Sequence, residues 1–438
     1  MMTKLFTRNF RNTLLTALVG VCMVALAPTA MAQDDQEARD NQKTRKAEAL
    51  SKAVYEKLTE AQELADNQQF NQAIRVLDSL SRDEGLSDYE RANMLNFYGF
   101  IYYNQGNTAK AVESYERLLS IPELEPQLRT QTLYTLAQLY AVQEKFPRTI
   151  ELLKQWFQIA NNPGPQAYVL LGQSYAQTEQ YDLMIPQIEK AIEVARERDT
   201  EVREEWWNLL YYGYYQQNNF AKVKEILKIL LANWPKKSYW TALAGVYSEL
   251  GEEKNMLAAY DAAYTQNLLS SESELVTLAQ LYLQGEIPYK AAKVLSEGME
   301  NGNIEETGKN YRLLSQAWQL AQEPEQAVPA LQQAARLSDD GELNARLAVA
   351  YLNLDRYDDC IQAGRQALDK GGVREPNDVR ITIGMCQYNL DRYQDARQTF
   401  MVVRRDDEYQ RIGSQWISVI DGEIERLEQL RQAIAQNE

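Results

Sequence analysis

The chain of 438 residues contains no histidine. That removes the usual general base, the commonest metal ligand and every Ser–His or Cys–His nucleophile pair. There is no Walker motif, no glycine-rich dinucleotide loop, no HExxH and no CxxC. Neither an enzyme nor a cofactor is therefore expected. Glycine (20) and proline (12) are scarce for the length, while Ala, Leu, Gln, Glu and Tyr abound, a composition that favours helix. Positive charge is also in deficit, with 46 Lys and Arg against 62 Asp and Glu, a formal charge of −16. A chain of that sign repels phosphate backbones and anionic membrane surfaces, which argues against nucleic acid as a partner.

What is present begins with an N-terminal address. Lys4, Arg8 and Arg11 precede the apolar run LLTALVGVCMVALA (Leu14 to Ala27), followed by small residues at Ala30 and Ala32. Basic, apolar and small residues in that order predict a signal peptide over 1–32, cut after Ala32. The run is too short for a comfortable membrane span, so no span is expected after cleavage. Cys22 sits in mid-run and fits a lipoprotein signal poorly. A soluble, exported chain in the periplasm is the expectation, with a charged, partly disordered segment over 33–49.

From about residue 50 to 410 one frame recurs ten times, as in YTLAQLYAVQEKFPRTIELLKQW (Tyr134 to Trp156) and TALAGVYSELGEEKNMLAAYDAAY. A small slot on a first helix falls at Ala61, Gly99, Ala137, Gly172, Tyr211, Ala244, Ala279, Ser315, Ala348 and Gly384, at steps of 33 to 39 residues. Three residues later comes a slot that is usually Tyr, from Leu64 and Tyr102 through to Tyr351 and Gln387. Twelve residues after the small slot a second one opens the partner helix, at Ala73, Ala111, Thr149 and onward to Cys360 and Ala396. Small residues on both helices let their axes approach, and the Tyr fills the space against the neighbouring unit. Breaker-rich stretches such as IPELEPQ, NNPGPQ, ANWPKK and DKGGVREPND separate the copies. After the last copy, 411–438 predicts a capping helix with Trp416, Ile417, Ile420, Ile424, Leu427 and Leu430 on one face.

This frame resembles the tetratricopeptide repeat, a helix-turn-helix unit near 34 residues long. The resemblance implies an all-α TPR solenoid, a right-handed superhelix of about ten repeats with capped ends. It also implies that first helices line a concave groove, which makes Asn96, Phe100, Tyr103, Tyr134, Gln138, Asn208, Tyr212 and Tyr215 candidates for binding an extended peptide. Rings suit side chains, and amides suit backbone groups. Few cations fall on that face, where Lys309 and Arg312 stand nearly alone. In the stretch EEWWNLLYYGYYQQNNF (Glu204 to Phe220), Trp207, Leu210, Tyr211 and Tyr214 are assigned to the core, and Tyr212, Tyr215 and Asn208 to the groove. Tyr211 occupies the small slot there, and Gly213 is read as relief for the crowding.

Cys360 and Cys386, 26 residues apart, invite a disulfide in an oxidising compartment; two buried thiols are the other reading. Cys360 holds the second small slot of one repeat, and Cys386 lies on the first helix of the next. Those helices pack together in this architecture, so a bridge worth about 3 kcal/mol is geometrically allowed. Acidic runs such as SDDGE (Ser338 to Glu342) read as solvated helix caps rather than as metal ligands.

A narrower resemblance is carried by SDYERANMLNFYGFIYYNQGN, YWTALAGVYSELGEEKNMLAAYDAAY, IPYKAAKVLSEGMENGNIE and LSDDGELNARLAVAYLNLD. They look like periplasmic tetratricopeptide proteins of gammaproteobacteria found alongside TonB, ExbB and ExbD. That resemblance implies a non-enzymatic scaffold accessory to TonB-type outer-membrane transport, with TonB or another component of that system as protein partner. The competing readings are an envelope-assembly scaffold for outer-membrane proteins, lipoproteins or cell-wall enzymes, and a carbohydrate-binding surface.

Overall fold

The structure, a computed structural model, describes residues 49–435. The expected signal peptide and all but the last residue of the 33–49 segment lie outside the described residues. The chain divides into two compact units, Met1–Leu230 and Leu231–Glu438.

In the first unit, helix pairs follow one another: Lys52–Asp66 with Phe70–Leu80, Asp88–Asn104 with Thr108–Leu119, and Pro126–Val142 with Phe146–Ile159. Pro165–Gln177 with Tyr181–Glu197 is the fourth pair, and Glu204–Gln216 opens the fifth, whose second helix is Phe220–Asn233. The second unit repeats the scheme with Lys237–Glu249 and Glu253–Thr265, Glu272–Gln284 and Pro288–Glu300, and Gly308–Leu320 and Pro324–Arg336. Gly341–Asn353 with Tyr357–Lys370 and Pro376–Asn389 with Tyr393–Val403 are repeats 9 and 10, and the helix Gln410–Ala435 follows. No strand occurs among the described residues. The fold is all-helical, a TPR-like solenoid of repeated helix pairs.

The small slot works as its chemistry predicts. A Cβ built on Gly99 would lie 2.5 Å from the Tyr115 ring, and one on Gly384 would lie 2.6 Å from Phe400. Each of those rings belongs to the second helix of the same repeat, so the glycine is what lets the two axes close. The turn between paired helices has its own rule. Seven residues after the small slot, every repeat has a residue in the left-handed region, from Gln68 and Gly106 to Asp355 and Asp391. The next amide returns to the carbonyl of the Tyr slot, as in Lys145 N to Tyr140 O (2.9 Å) and Ile287 N to Tyr282 O (2.8 Å). This closes the first helix in a Schellman-like turn. Only Gly106 and Gly251 supply glycine at that slot; the other repeats hold Gln, Glu, Asp or Asn there, which accept some strain.

Neighbouring repeats are joined by a hydrogen bond that recurs with the frame. The Tyr-slot hydroxyls of Tyr140 and Tyr214 donate to Glu116 Oε1 (2.5 Å) and Glu189 Oε1 (2.6 Å) of the preceding repeat. Tyr282 donates to Asp261 in the same way. All three acceptors stand seventeen residues after the small slot of their own repeat. At the first joint, Tyr98 reaches the equivalent Asp78 (2.6 Å) from a neighbouring position on its helix. The start of the array is tied by Glu90, whose carboxylate accepts from the amides of Ser51 and Ser87, both at 3.0 Å. The Ser51 side chain and amide, then the Ser87 amide, hold that carboxyl down to about 2.

At the far end, Ile417 and Ile420 of the last helix are buried against Ala396, Phe400 and Val403, and the Trp416 ring stacks on Phe400 at 5.1 Å. Beyond this contact the helix outruns its cover. Leu430, which its spacing places on the apolar face, is 51% exposed.

Candidate functional site

The eight groove candidates all belong to the first unit and fall on the first helices of repeats 2, 3 and 5. On the second repeat, Asn96 and Tyr103 are half-buried, and Phe100 packs on the hydrophobic cluster shared by the first and second repeats. Burial pushes the Tyr103 hydroxyl above its ordinary value. On the third, Gln138 is half-buried and the Tyr134 ring tilts against Trp156 at 4.9 Å. Trp156 meets Phe157 edge-on at 5.0 Å, and Phe157 lies 4.8 Å from Tyr168 of the fourth repeat. This ladder of rings crosses from one repeat to the next. Burial raises Tyr134 as well.

The fifth repeat divides less cleanly than its register predicts. Trp207 (7% exposed) and Leu210 (2%) are core residues. Tyr211 is only half-buried, because a phenol ring at the small slot does not fit between the paired helices. Its ring lies 6.0 Å from Tyr215, which in turn meets Phe220 edge-on at 6.1 Å. Tyr214 is half-buried, its hydroxyl spanning to Glu189. Tyr215, at 44% exposure, is the most open of the candidates. Tyr212 and Asn208 are half-buried, and the Tyr212 hydroxyl lies 3.2 Å from that of Tyr181. Tyr181 rises above its ordinary value through burial and then through that hydrogen bond.

Gly213 relieves a different contact from the one its neighbour Tyr211 suggests. A Cβ there would stand 2.2 Å from Met184 Cε and 3.0 Å from Ile185 Cγ1, both on the second helix of the preceding repeat. Met184 fills a second small slot with a long side chain, and the facing residue has shrunk to glycine. The same pair of positions at the joint of the last two repeats holds Cys360 and Cys386, joined as a disulfide with Cα atoms 6.5 Å apart.

Chemically, the eight residues offer rings, hydroxyls and amides. The tyrosines with shifted values all move upward, so they stay protonated at neutral pH. Among the described residues no cluster of Cys, Asp or Glu is arranged to hold a metal ion, and no helix is long and apolar enough to cross a membrane. Such side chains suit stacking and hydrogen bonding.

Sequence reasoning missed a second place, in the other unit. The end of repeat 8's first helix with the start of its second, the first helices of repeats 9 and 10, and the segment leading into the last of these line a cavity of about 800 Å³. None of the eight candidates lines it. Its floor is aliphatic, from Val328, Ala345, Val349, Ala350, Leu354 and Val379. Its rim carries Glu342, Arg346, Arg374, Glu375 and Asp378, with the amides Gln319, Gln322 and Asn353 between them. The register that gave the eight candidates also passes through Gln319, Ala345 and Val349 of this set. The two arginines escaped it because Arg346 flanks the counted positions and Arg374 precedes its helix. Arg346 Nε lies 3.9 Å from Glu342 Oε1, and the Tyr409 hydroxyl donates to Glu375 Oε2 at 3.3 Å.

Family models described as Tetratricopeptide repeat match residues 58–126 and 165–198. Those stretches match the tetratricopeptide repeat, and the remaining helix pairs follow their frame; tetratricopeptide repeat proteins are protein–protein interaction scaffolds, some of which bind peptides. Among solved structures, the chain is similar to a tetratricopeptide repeat protein from Parabacteroides merdae at 17% identity, covering 66% of this chain and 94% of that one, with a TM-score of 0.35. It is similar to YrrB, described as a TPR protein with an unusual peptide-binding site, at 19% identity over 40% of this chain and 87% of that chain, TM-score 0.31. It is also similar to the TPR2AB domain of yeast Sti1 in complex with pHSP90, at 15% identity over 68% and 98% of the two chains, TM-score 0.29. No curated protein matches the chain.

Proposed function

We propose that this protein is a non-enzymatic scaffold of the periplasm, accessory to a TonB-type outer-membrane transport system, that holds an extended segment of a protein partner on its first-helix face. The observation that carries the reading is the set of rings and amides on repeats 2, 3 and 5, which ends in the exposed Tyr215. Such side chains grip peptide side chains and backbone groups without requiring a charged terminus. The basic and apolar N-terminal pattern supports export, and a disulfide pair suits an oxidising compartment. The TonB-type setting rests on the resemblance of the stretches quoted above. A net charge of −16 favours a basic partner segment, chiefly through its association rate.

Crosslinking–mass spectrometry on intact periplasm tests this reading. The expected result is crosslinks from a TonB-system component to the faces bearing Tyr103, Tyr134 and Tyr215, reduced at least fivefold by Tyr212→Ala with Tyr215→Ala. Recovery of outer-membrane assembly factors or wall enzymes on that face, with no TonB-system component, would overturn it in favour of an envelope-assembly scaffold.

A further inference from the structure

We propose that the cleft of repeats 8 to 10 is a peptide-docking site in its own right, for an extended segment that carries an aliphatic anchor and a neighbouring cation. This rests on the interaction-scaffold reading only for the existence of a peptide partner, and it adds a place and a chemistry.

Three features point to that occupant. The first is size and floor: a cavity of about 800 Å³ lies in the range of formed ligand pockets. Val349, which lines it, is 45% exposed, although its helix buries Leu343, Leu347 and Tyr351. With Val328, Ala345 and Val379 around it, an aliphatic side chain finds apolar contact there and a planar charged group does not.

The second is the amides. Gln319, Gln322 and Asn353 line the same cleft, and each presents both a donor and an acceptor, the pairing that an extended backbone needs.

The third is charge. Of the rim groups, Arg346 is turned toward Glu342, which leaves Arg374 against Glu375 and Asp378. Those two carboxylates stand at the start of the helix Pro376–Asn389, both at exposed positions. Partial burial, then the hydrogen bond to Asp378 and the charges of Asp378 and Glu375, push the Tyr409 hydroxyl up to about 12. With three carboxylates to two arginines in the lining, a cation entering beside them meets net negative charge. An acidic peptide meets the same charge and the field of a chain at −16. A clamp for a terminal carboxylate would need two free cations, and one of the two arginines faces a carboxylate already.

Fluorescence anisotropy on the purified full chain decides it, using three labelled nonapeptides with the repeats Val-Pro-Lys, Val-Pro-Gln and Val-Pro-Glu. The lysine peptide is expected to bind at least tenfold more tightly than the glutamate peptide. Glu375→Gln with Asp378→Asn, both at exposed positions, should remove that preference. Val349→Asn should weaken all three peptides about fivefold, and Tyr212→Ala with Tyr215→Ala should change none of them. Equal or tighter binding of the glutamate peptide, or sensitivity to the tyrosine pair but not to Val349→Asn, overturns the proposal. Absence of binding by all three overturns it too, while the crosslinking result still decides the scaffold reading separately.

Discussion

The joint between repeats 4 and 5 and the joint between repeats 9 and 10 use the same two register positions with opposite chemistry. In the first, Met184 is fully buried and presses into the space left by Gly213. In the second, Cys360 and Cys386 occupy those positions and are covalently bonded. The frame therefore specifies a close approach between one repeat's second helix and the next repeat's first helix. It leaves open what fills that approach. Size complementarity restrains the joint only in the folded state, whereas a disulfide acts mainly by restricting the unfolded chain.

Breaking the covalent joint should have the larger effect. Cys386→Ala is expected to cost about 3 kcal/mol. Amide exchange in Tyr357–Lys370 and Pro376–Asn389 should speed up about a hundredfold, while exchange in Glu204–Gln216 stays as it was. Equal acceleration in both places would mean that the bridge does not act locally. Gly213→Val should cost about 2 kcal/mol through overpacking. Helix propensity favours valine over glycine, so a loss isolates the contact with Met184. Combining it with Met184→Ala should recover a large part of that loss in chemical denaturation, and no recovery would remove Met184 from the account. The smallest effect concerns the polar latch. Tyr140→Phe should cost about 1 kcal/mol by losing its bond to Glu116. Tyr175→Phe, at the same slot but facing a repeat whose seventeenth position is Lys154, should cost well under that. Equal losses would show that the bond to Glu116 adds nothing to the joint beyond what any hydroxyl at that slot does.

Much of this fold was legible in the residues. The small slots and the Tyr slot mark where helix axes approach, because only small side chains permit that approach. The position of Cys360 and Cys386 on facing helices was legible for the same reason, while their bonding stayed one of two readings. The turn slot was not legible, since a left-handed residue is signalled reliably only by glycine or asparagine, and most repeats place Gln, Glu or Asp there. The acid that receives the Tyr hydroxyl was present at a fixed offset all along, and a search for carboxylates at that offset would have found it. The candidate site was legible in part. Spacing picked out Tyr215, which is exposed, but it also treated Tyr212 as open, and Tyr212 leans on Tyr181 from the preceding repeat.

By itself, then, the sequence determined the helix pairs, their number, and the places where small residues draw them together, because these follow from side-chain size and helical period along one chain. Tertiary structure alone decided that Gly213 makes room for Met184, that Tyr211 is left half-outside its slot, and that an aliphatic floor with two arginines and three carboxylates gathers in one cleft. Those outcomes depend on which atoms of separate repeats meet across their joints, and periodicity along a single chain carries no record of such meetings.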